Sequence, residues 1–389
     1  MNLYIELEIY NREIQSKVLL ALEAVKKGYN VIIAHRSIIQ KLALEDKLPP
    51  GIIHMKDANS TKEQIDVYKK LKKKQFYLTA QDEESGLLND TYKNFAKIRF
   101  GNFKSFNYLS FFFCWGERDF QYLKKKIKIA LKTGSPRFDL FHKLKRKKGK
   151  RKKILIISSF NVTGVRSFAD RIFATTHPGS SMKERYKIAE KFAYNMESIH
   201  ALKVYHFVNL TRFLSRTFKN YDIYVRPHPN DNIDDWKKLI NDNTKNIKID
   251  RTKDIALDQS ILSSNFVIQN GCTSAIESLL LNVPCISYIP QEWKEDELAK
   301  FPNSLGTKAT SHLEVKKIIQ SNYVKKTKIR YQILKKRLLL EKNYYSNEKQ
   351  VEFFDKLKQK SKKFKPNIIF KTKYFIIQIL KKIKNIIFK

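Results

Sequence analysis

The chain has 389 residues, of which 42% are hydrophobic and 12% aromatic; this fits two domains or one large one and excludes global disorder. Its 77 Lys+Arg against 38 Asp+Glu give a net charge of +39, which invites nucleic acid, an anionic membrane face or anionic substrates. Lys, Ile and Asn are over-used together, as in proteins whose codons drift toward A and T, so charge alone assigns no partner. The three cysteines, Cys114, Cys272 and Cys285, form no CxxC pair; that excludes a disulfide framework or zinc ribbon and predicts a reducing cytoplasm. No run of 18 uncharged apolar residues predicts a spanning helix, and the opening MNLYIELEIYNREIQ does not read as a secretory signal.

In chain order, LYIELEI reads as a strand. The stretch 12–27 places Ile14, Val18, Leu19, Leu22 and Val25 at helical spacing, and Gly28 closes it as a C-terminal cap residue. YNVIIAH, GIIHM and QFYLTA read as further strands, with a charged helix near 62–74. YLSFFFCW and IKIALKTG complete this first series. The run 143–153, KLKRKKGKRKK, has nine basic residues in eleven and reads as a solvated linker. A second series follows: ILIISSF, YDIYVRPHP, NIKID, NFVIQNG and PCISYI as strands, with helices over 183–218 and 274–281. Strands alternating with helices predict an α/β architecture of two Rossmann-like domains facing a cleft, at 1–142 and 154–340. The stretch 356–389 holds twelve lysines and no acid, with Ile376, Ile379, Leu380, Ile383 and Ile387 on one helical face. It reads as a basic amphipathic tail for an anionic membrane surface; the alternative is a helix packed back on the body.

Three segments carry chemistry. In YDIYVRPHP a strand ends in Arg226, Pro227, His228 and Pro229. Ligands of doubly wound sheets bind beyond strand C-termini, Arg is a fork for phosphate oxygens, and His can donate to a phosphate. The alternative is a surface turn; His177-Pro178 reads as a plain loop. In NFVIQNGCTSAIESLLLNVPCISYIP, the residues Gly271, Thr273 and Ser274 fall at a helix N-terminus, a ready anion site. The alternative there is a capping box formed by Ser274 and Glu277, which leaves the polar turn 269–273 unexplained. In LTAQDEESGLL, the acids Asp82, Glu83 and Glu84 follow a strand; mutual repulsion raises one pKa, which suits a general base or nucleophile. The alternative is an acidic helix cap. The pairs Arg12-Glu13 and Lys56-Asp57 fit an acceptor side or plain salt bridging. Asp231, Asp234 and Asp235 read as helix capping, and no metal site is expected.

Together these segments resemble the bacterial surface-carbohydrate (lipopolysaccharide and capsule) biosynthesis family of GT-B-like glycosyltransferases. The resemblance runs over most of 1–290: NREIQSKVLLALEAVKKGYNVIIAHR, AQDEESGLL, CWGERDFQYL, TGSPRFDL, RPHP and GCTSAIESLLLNVPCISY. More distantly, the chain is similar to Kdo and sialic-acid transferases, which use CMP-sugars. The resemblance implies His228 on the nucleotide phosphate, Thr273 and Ser274 as further donors, Glu277 toward the ribose, and an acid of 82–84 as base or nucleophile. It implies a nucleotide-sugar donor, a lipid-linked glycan acceptor and no cofactor. The lysines concentrate in the linker and tail and not on one face interleaved with aromatics, so no nucleic acid is expected, and the tail predicts a cytoplasmic protein peripheral on the inner membrane face. Many relatives have Gly where this chain has Ser85. The stretch Thr133–Asp139 also looks like the TGxPRxD of CDP-glycerol and ribitol-phosphate polymerases, which makes polyol-phosphate transfer the alternative.

Overall fold

In a computed structural model, the chain is described over residues 1–85, 92–139, 141, 144, 152–158, 182–228, 231–240, 245–250, 255–292, 297–322, 327–335, 337–341 and 345–361. Most of the basic run 143–153, Pro229, the second His-Pro pair and the tail from 362 onward lie outside the described residues.

The first domain comprises β1 (Asn2–Leu7), α1 (Tyr10–Lys26), β2 (Asn30–His35), α2 (Arg36–Leu44), β3 (Gly51–Met55), α3 (Lys62–Lys73), β4 (Tyr77–Ala80), α4 (Tyr92–Phe100), β5 (Phe111–Cys114), α5 (Glu117–Leu123), β6 (Ala130–Lys132) and the one-turn α6 (Pro136–Asp139). Its six parallel strands run β2-β1-β3-β4-β5-β6. The second comprises β7 (Lys152–Ile157), α7 (Met182–Thr217), β8 (Tyr221–Arg226), α8 (Ile233–Ile240), β9 (Ile247–Ile249), α9 (Leu257–Leu262), β10 (Phe266–Gln269), α10 (Ser274–Leu280), β11 (Cys285–Tyr288), α11 (Glu297–Leu305), β12 (Thr307–Ala309) and α12 (His312–Ser321). Its parallel order is β12-β11-β10-β7-β8-β9. The helices α13 (Thr327–Lys335) and α14 (Ser346–Ser361) follow. The two Rossmann-like domains expected from the alternating pattern are both present, in a GT-B-like arrangement.

Apolar strands covered by helices on both faces give each domain its core, as parallel sheets require. Tyr4, Ile53, Leu78 and Phe112 pack under α3 and α4 on one face of the first sheet; Leu3, Ile5, Ile52 and Phe113 pack on the other. That second face is closed by α14, whose Val351, Phe354 and Leu357 are buried. The chain thus returns to the first domain, and the opening of the predicted tail, from Lys356, belongs to this packed helix. A third cluster joins the domains. Trp115, Phe138 and Phe141 of the first pack with Ile157, Ile276 and Leu279 of the second and with Leu334 and Leu338 beyond it.

One helix face departs from expectation. On α1 the buried stripe is Glu13, Ser16, Lys17, Leu20 and Ala24, whereas Leu22 and Val25 are 43% and 54% exposed. The helix turns polar residues toward the cleft at its N-terminal half, so burial follows the site and not the apolar stripe.

Candidate functional site

Each sheet has one point where the chain reverses its direction of winding: between β1 and β3 in the first, between β7 and β10 in the second. In open α/β sheets ligands sit beyond the strand C-termini at such points. The candidate residues of both domains follow these strand ends.

In the first domain the ends of β1, β3 and β4 bring together a dense charged cluster. The three adjacent acids have three environments. Asp82 is fully buried and holds the turn itself: one oxygen accepts the backbone N–H groups of Glu84 (2.9 Å) and Ser85 (3.0 Å), and the other accepts Arg99 Nε (2.7 Å). Burial raises its carboxyl, and Arg99 opposes that rise. Glu83 turns inward to a buried ion pair with Lys17 of α1. Burial pulls its carboxyl upward, but the Lys17 ammonium outweighs that and holds it below the usual range. Glu84 keeps 41% of its side chain accessible and faces Arg12 at 3.7 Å. Partial desolvation of its carboxyl is outweighed by Arg99, Arg12 and Lys56, which hold it below the usual range. Mutual repulsion, expected to raise one of the three, is thus overridden at Glu83 and Glu84 by these cations.

Ser85 sits at φ +22°, at the margin of the left-handed region that favours glycine, and its hydroxyl donates to Asp119 Oδ2 (2.9 Å). Asp119 also accepts the backbone N–H groups of Trp115, Gly116 and Phe120. The CWGERD segment thereby fixes the acidic turn from behind.

The acceptor-side candidates join the same cluster. Glu13 is fully buried; it accepts Glu8 N (2.8 Å) and Arg12 (3.1 Å). Burial and then the Glu83 charge push its carboxyl up. Lys56 pairs with Glu8 and lies 3.8 Å from Asp57. Asp57 in turn meets Arg36 (3.2 Å) and Arg99 (3.8 Å). Lys17, Arg36 and Arg99, which sequence reasoning passed over, are the cations that balance these acids.

In the second domain His228 stands past the end of β8, its backbone N–H donating to Asp231 Oδ2 (3.2 Å). Asp231 also accepts Trp236 Nε1 (2.9 Å), so it braces the turn as a cap would. Burial lowers the imidazole below its ordinary value; Asp231 and Glu84 oppose this, and Arg12 adds to it. His228 therefore lies close enough to Arg12 and Glu84 of the first domain to feel their charges.

Arg226 requires a correction. Its guanidinium is consumed behind the strand, donating to Asp250 (2.9 Å), Ser260 (2.9 Å) and the Ile255 carbonyl (2.8 Å). It braces β8 against β9 and α9 and presents no fork to the cleft. The side chain at the last position of the strand points into the sheet's packing, while His228, two residues on, is past it.

The β10–α10 turn departs from its capping-box reading. Thr273 is the residue preceding α10, and its side chain makes no capping hydrogen bond. Ser274 is the first helical residue, fully buried, with the Cys272 thiol as its polar neighbour. No capping box forms, because Glu277 reaches across the domain boundary to a buried ion pair with Arg137 of α6. Its second oxygen, Oε2, is buried without a hydrogen-bond partner. The polar turn is held by α11: Asn303 accepts from Gly271 N (2.8 Å) and Gln269 (3.3 Å) and donates to Asn270 (3.0 Å). Gly271 has φ +74°, and a Cβ there would meet Ala299 at 2.7 Å.

Between the domains lies a small crevice of about 30 Å³, lined by Arg12, Ser16, Arg137, Phe141, Asp258 and Glu277. Arg137 is the missed residue here. Its signal was the TGSPRFD stretch, which also caps α14, since Asp139 accepts Ser346 Oγ (2.9 Å) and Asn347 N (3.1 Å). Among the described residues no group of three or more His, Cys, Asp or Glu is placed to hold a metal ion, and no helix is long and apolar enough to cross a membrane.

No protein-family model matches the chain, and no curated protein matches it in sequence. Solved structures match its fold over nearly the whole length. The wall teichoic acid polymerase TagF soaked with CDPG aligns at TM-score 0.53 with 11% identity, over 92% of this chain and 89% of that one. A Listeria monocytogenes structure assigned as a UDP-N-acetylglucosamine 2-epimerase aligns at 0.53 with 11% identity, over 95% and 99%. The S. aureus MnaA complex with UDP aligns at 0.50 with 12% identity, over 95% and 99%. At such identities the likeness is one of fold.

Proposed function

We propose that the chain is a GT-B-type transferase of surface-carbohydrate biosynthesis, moving a group from a nucleotide-activated donor to a hydroxyl of a lipid-linked glycan. The observation that carries this reading is where the strand ends lie: His228, past its strand end in the second sheet, is close enough to feel the charges of Glu84 and Arg12, which follow strand ends of the first. A leaving phosphate beside His228 and an acceptor hydroxyl beside Glu84 would meet in one place.

In this reading the second domain holds the nucleotide. The backbone N–H of Thr273 and the N-terminal end of the α10 dipole receive the phosphate. Glu277 has one oxygen without a partner and can accept a ribose hydroxyl. His228 donates to the phosphate, and the phosphate charge raises the imidazole, so protonation grows as the leaving group departs. Glu84, ionised, takes the acceptor proton; an acceptor seated between Glu84 and Arg12 weakens their pairing and makes the carboxylate more basic. Glu13, Lys17, Lys56 and Asp82 position these two groups. An acidic, Kdo-like sugar from a CMP donor is the preferred substrate, following the motif resemblance. The tail from 362 and the inner membrane face complete the reading as the site where a lipid-linked acceptor is met.

A second reading, polyol-phosphate transfer from a CDP donor, is favoured by the TGSPRFD stretch together with the fold likeness to TagF. Incubation with CMP-Kdo, CDP-glycerol and UDP-N-acetylglucosamine, with and without a lipid-linked acceptor, separates the possibilities by product mass. Sugar added to acceptor supports the first reading, and glycerol phosphate added supports the second. Isomerised UDP-sugar with no nucleotide released overturns both.

A further inference from the structure

Arg137 belongs to the first domain, yet its ion-pair partner belongs to the second, and the TGSPRFD stretch shows how it is held there. Pro136 opens α6 with its fixed φ, as a proline at a first helical position does. Phe138 is buried in the apolar cluster that the domains share. Asp139 caps α14 through Ser346 Oγ (2.9 Å) and Asn347 N (3.1 Å). Upstream, the Gly134 carbonyl accepts Gln81 Nε2 (2.7 Å), which ties the stretch to the acidic turn. With its neighbours pinned in this way, the buried Arg137 guanidinium donates to Glu277 Oε1 of α10. On its other side it lines a narrow gap with Lys17 and Glu83. Against burial, and behind Lys17, its charge also lowers the Glu83 carboxyl.

Glu277 keeps its second oxygen, Oε2, buried and without a hydrogen-bond partner. Glu277, Arg137 and Asp258 line the crevice of about 30 Å³, which has room for one hydroxyl-sized group and too little for a base or a phosphate. The Asp258 and Glu277 carboxylates accept hydrogen bonds and repel an anion, so the group that fits is a neutral donor. We propose that Arg137 is a positioning residue of the donor site, supplied from across the domain boundary. It fixes the Glu277 carboxylate by Oε1, so that Oε2 accepts a ribose hydroxyl and the site selects ribonucleotide donors over those lacking that hydroxyl. A guanidinium suits this task because its planar fork sets the direction of a carboxylate, whereas an ammonium on a flexible stem does not. A deoxyribose would leave Oε2 buried and unsatisfied, and that penalty makes the discrimination. The inference rests on the reading of Glu277 as the ribose acceptor and deepens it, by naming the residue that orients Glu277 and the nucleotide class that follows.

The test is calorimetric titration of the full chain and of Arg137→Lys with CMP, CDP and UDP, each also in its 2′-deoxy and 3′-deoxy form. The wild type should bind at least one ribonucleotide about ten- to a hundredfold more tightly than one of its deoxy forms, the worth of a hydrogen bond to a carboxylate. Arg137→Lys keeps the charge and loses the fork. It should weaken binding of the ribonucleotide and leave that of the deoxy form unchanged, so that the two affinities converge. A purely structural Arg137 would instead lower the melting temperature of the variant without moving this ratio. If Arg137→Lys does not fold, Arg137→Gln, which keeps an amide donor for Glu277, takes its place and must narrow the ratio likewise. An unchanged ratio in the folded variant, or equal weakening of the ribo and deoxy forms, would overturn the proposal. Equal wild-type affinity for a ribonucleotide and both of its deoxy forms would also overturn it, while leaving nucleotide binding itself standing. Failure of the wild type to bind any of these nucleotides would overturn the transfer reading and this inference together.

Discussion

Glu83 and Glu84 are neighbours in sequence and end in opposite environments. Glu83 is sealed against the Lys17 ammonium, and Glu84 opens on the cleft. Glu84→Gln should therefore lower kcat by about 10²- to 10⁴-fold and leave nucleotide affinity unchanged, since a general base acts in the transition state. Glu83→Gln should act on folding: it strands a buried ammonium, at a cost of about 3–5 kcal/mol. Denaturant unfolding and steady-state kinetics on both variants check this; equal kinetic losses with equal stability would contradict it. A similar contrast separates Arg226 from His228. Arg226→Ala removes the partner of the buried Asp250 carboxylate and should cost about 3–5 kcal/mol of stability. His228→Ala should leave the melting temperature near that of the wild type and weaken donor binding.

At the scale of the element, β1 carries a buried acid whose titration is measurable. Glu6 is fully buried; one oxygen accepts Gln40 Nε2 (2.7 Å) and the other has no partner. Burial pushes its carboxyl up to about 7, against the pull of Arg36. The unfolded chain releases this proton near its ordinary value and the folded chain only near 7, so between those values the folded state holds more protons. Glu6 then makes stability fall as pH rises through that window, by up to about 3 kcal/mol, and level off above it. Glu6→Gln should remove this slope. Chemical unfolding at a series of pH values between 5 and 8 gives the test, and a mutant curve parallel to the wild type would contradict it.

The elements also divide by how legible they were. Strands with apolar runs bounded by turn residues, such as Ile52-Ile53 or Val267-Ile268, could be read directly. β12 could not, because Thr307-Lys308-Ala309 has no apolar run and is a strand only through its pairing with β11. The buried face of α1 was misread because a helix beside a charged site buries Glu13 and Lys17 in preference to Leu22 and Val25. The acidic turn could be read as a candidate site, but the separate environments of its acids depend on Lys17, Arg99 and Arg12, which only the fold brings near. Arg137 was visible as part of a motif, whereas its partner Glu277 lies 140 positions away.

At the scale of the molecule, the domains share the apolar cluster of Trp115, Phe138 and Phe141, with Arg137 and Glu277 paired beside it. A hydrophobic interface of this kind holds domains together more firmly than the polar contacts that permit free hinge motion. The wild type should thus unfold in one transition. Phe138→Ala, at about 3–5 kcal/mol for a buried ring, should resolve that transition into two in calorimetry; a single lowered transition would contradict the shared core. The charges of the cleft lead to a further expectation. Its acids are matched by Arg12, Lys17, Arg36, Lys56 and Arg99, so turnover should persist after treatment with a chelator, and loss restored by a divalent ion would contradict that.

The central claim is that a nucleotide-activated donor is held at the strand ends of the second domain by His228. Calorimetric titration of the wild type and His228→Ala with CMP, CDP and UDP addresses it most directly. The account predicts that at least one of these nucleotides binds the wild type at a single site. The same nucleotide should bind folded His228→Ala about ten- to a hundredfold more weakly, the loss expected of one hydrogen bond to a charged phosphate. Unchanged affinity in the folded variant, or no binding of any of the three to the wild type, would contradict it.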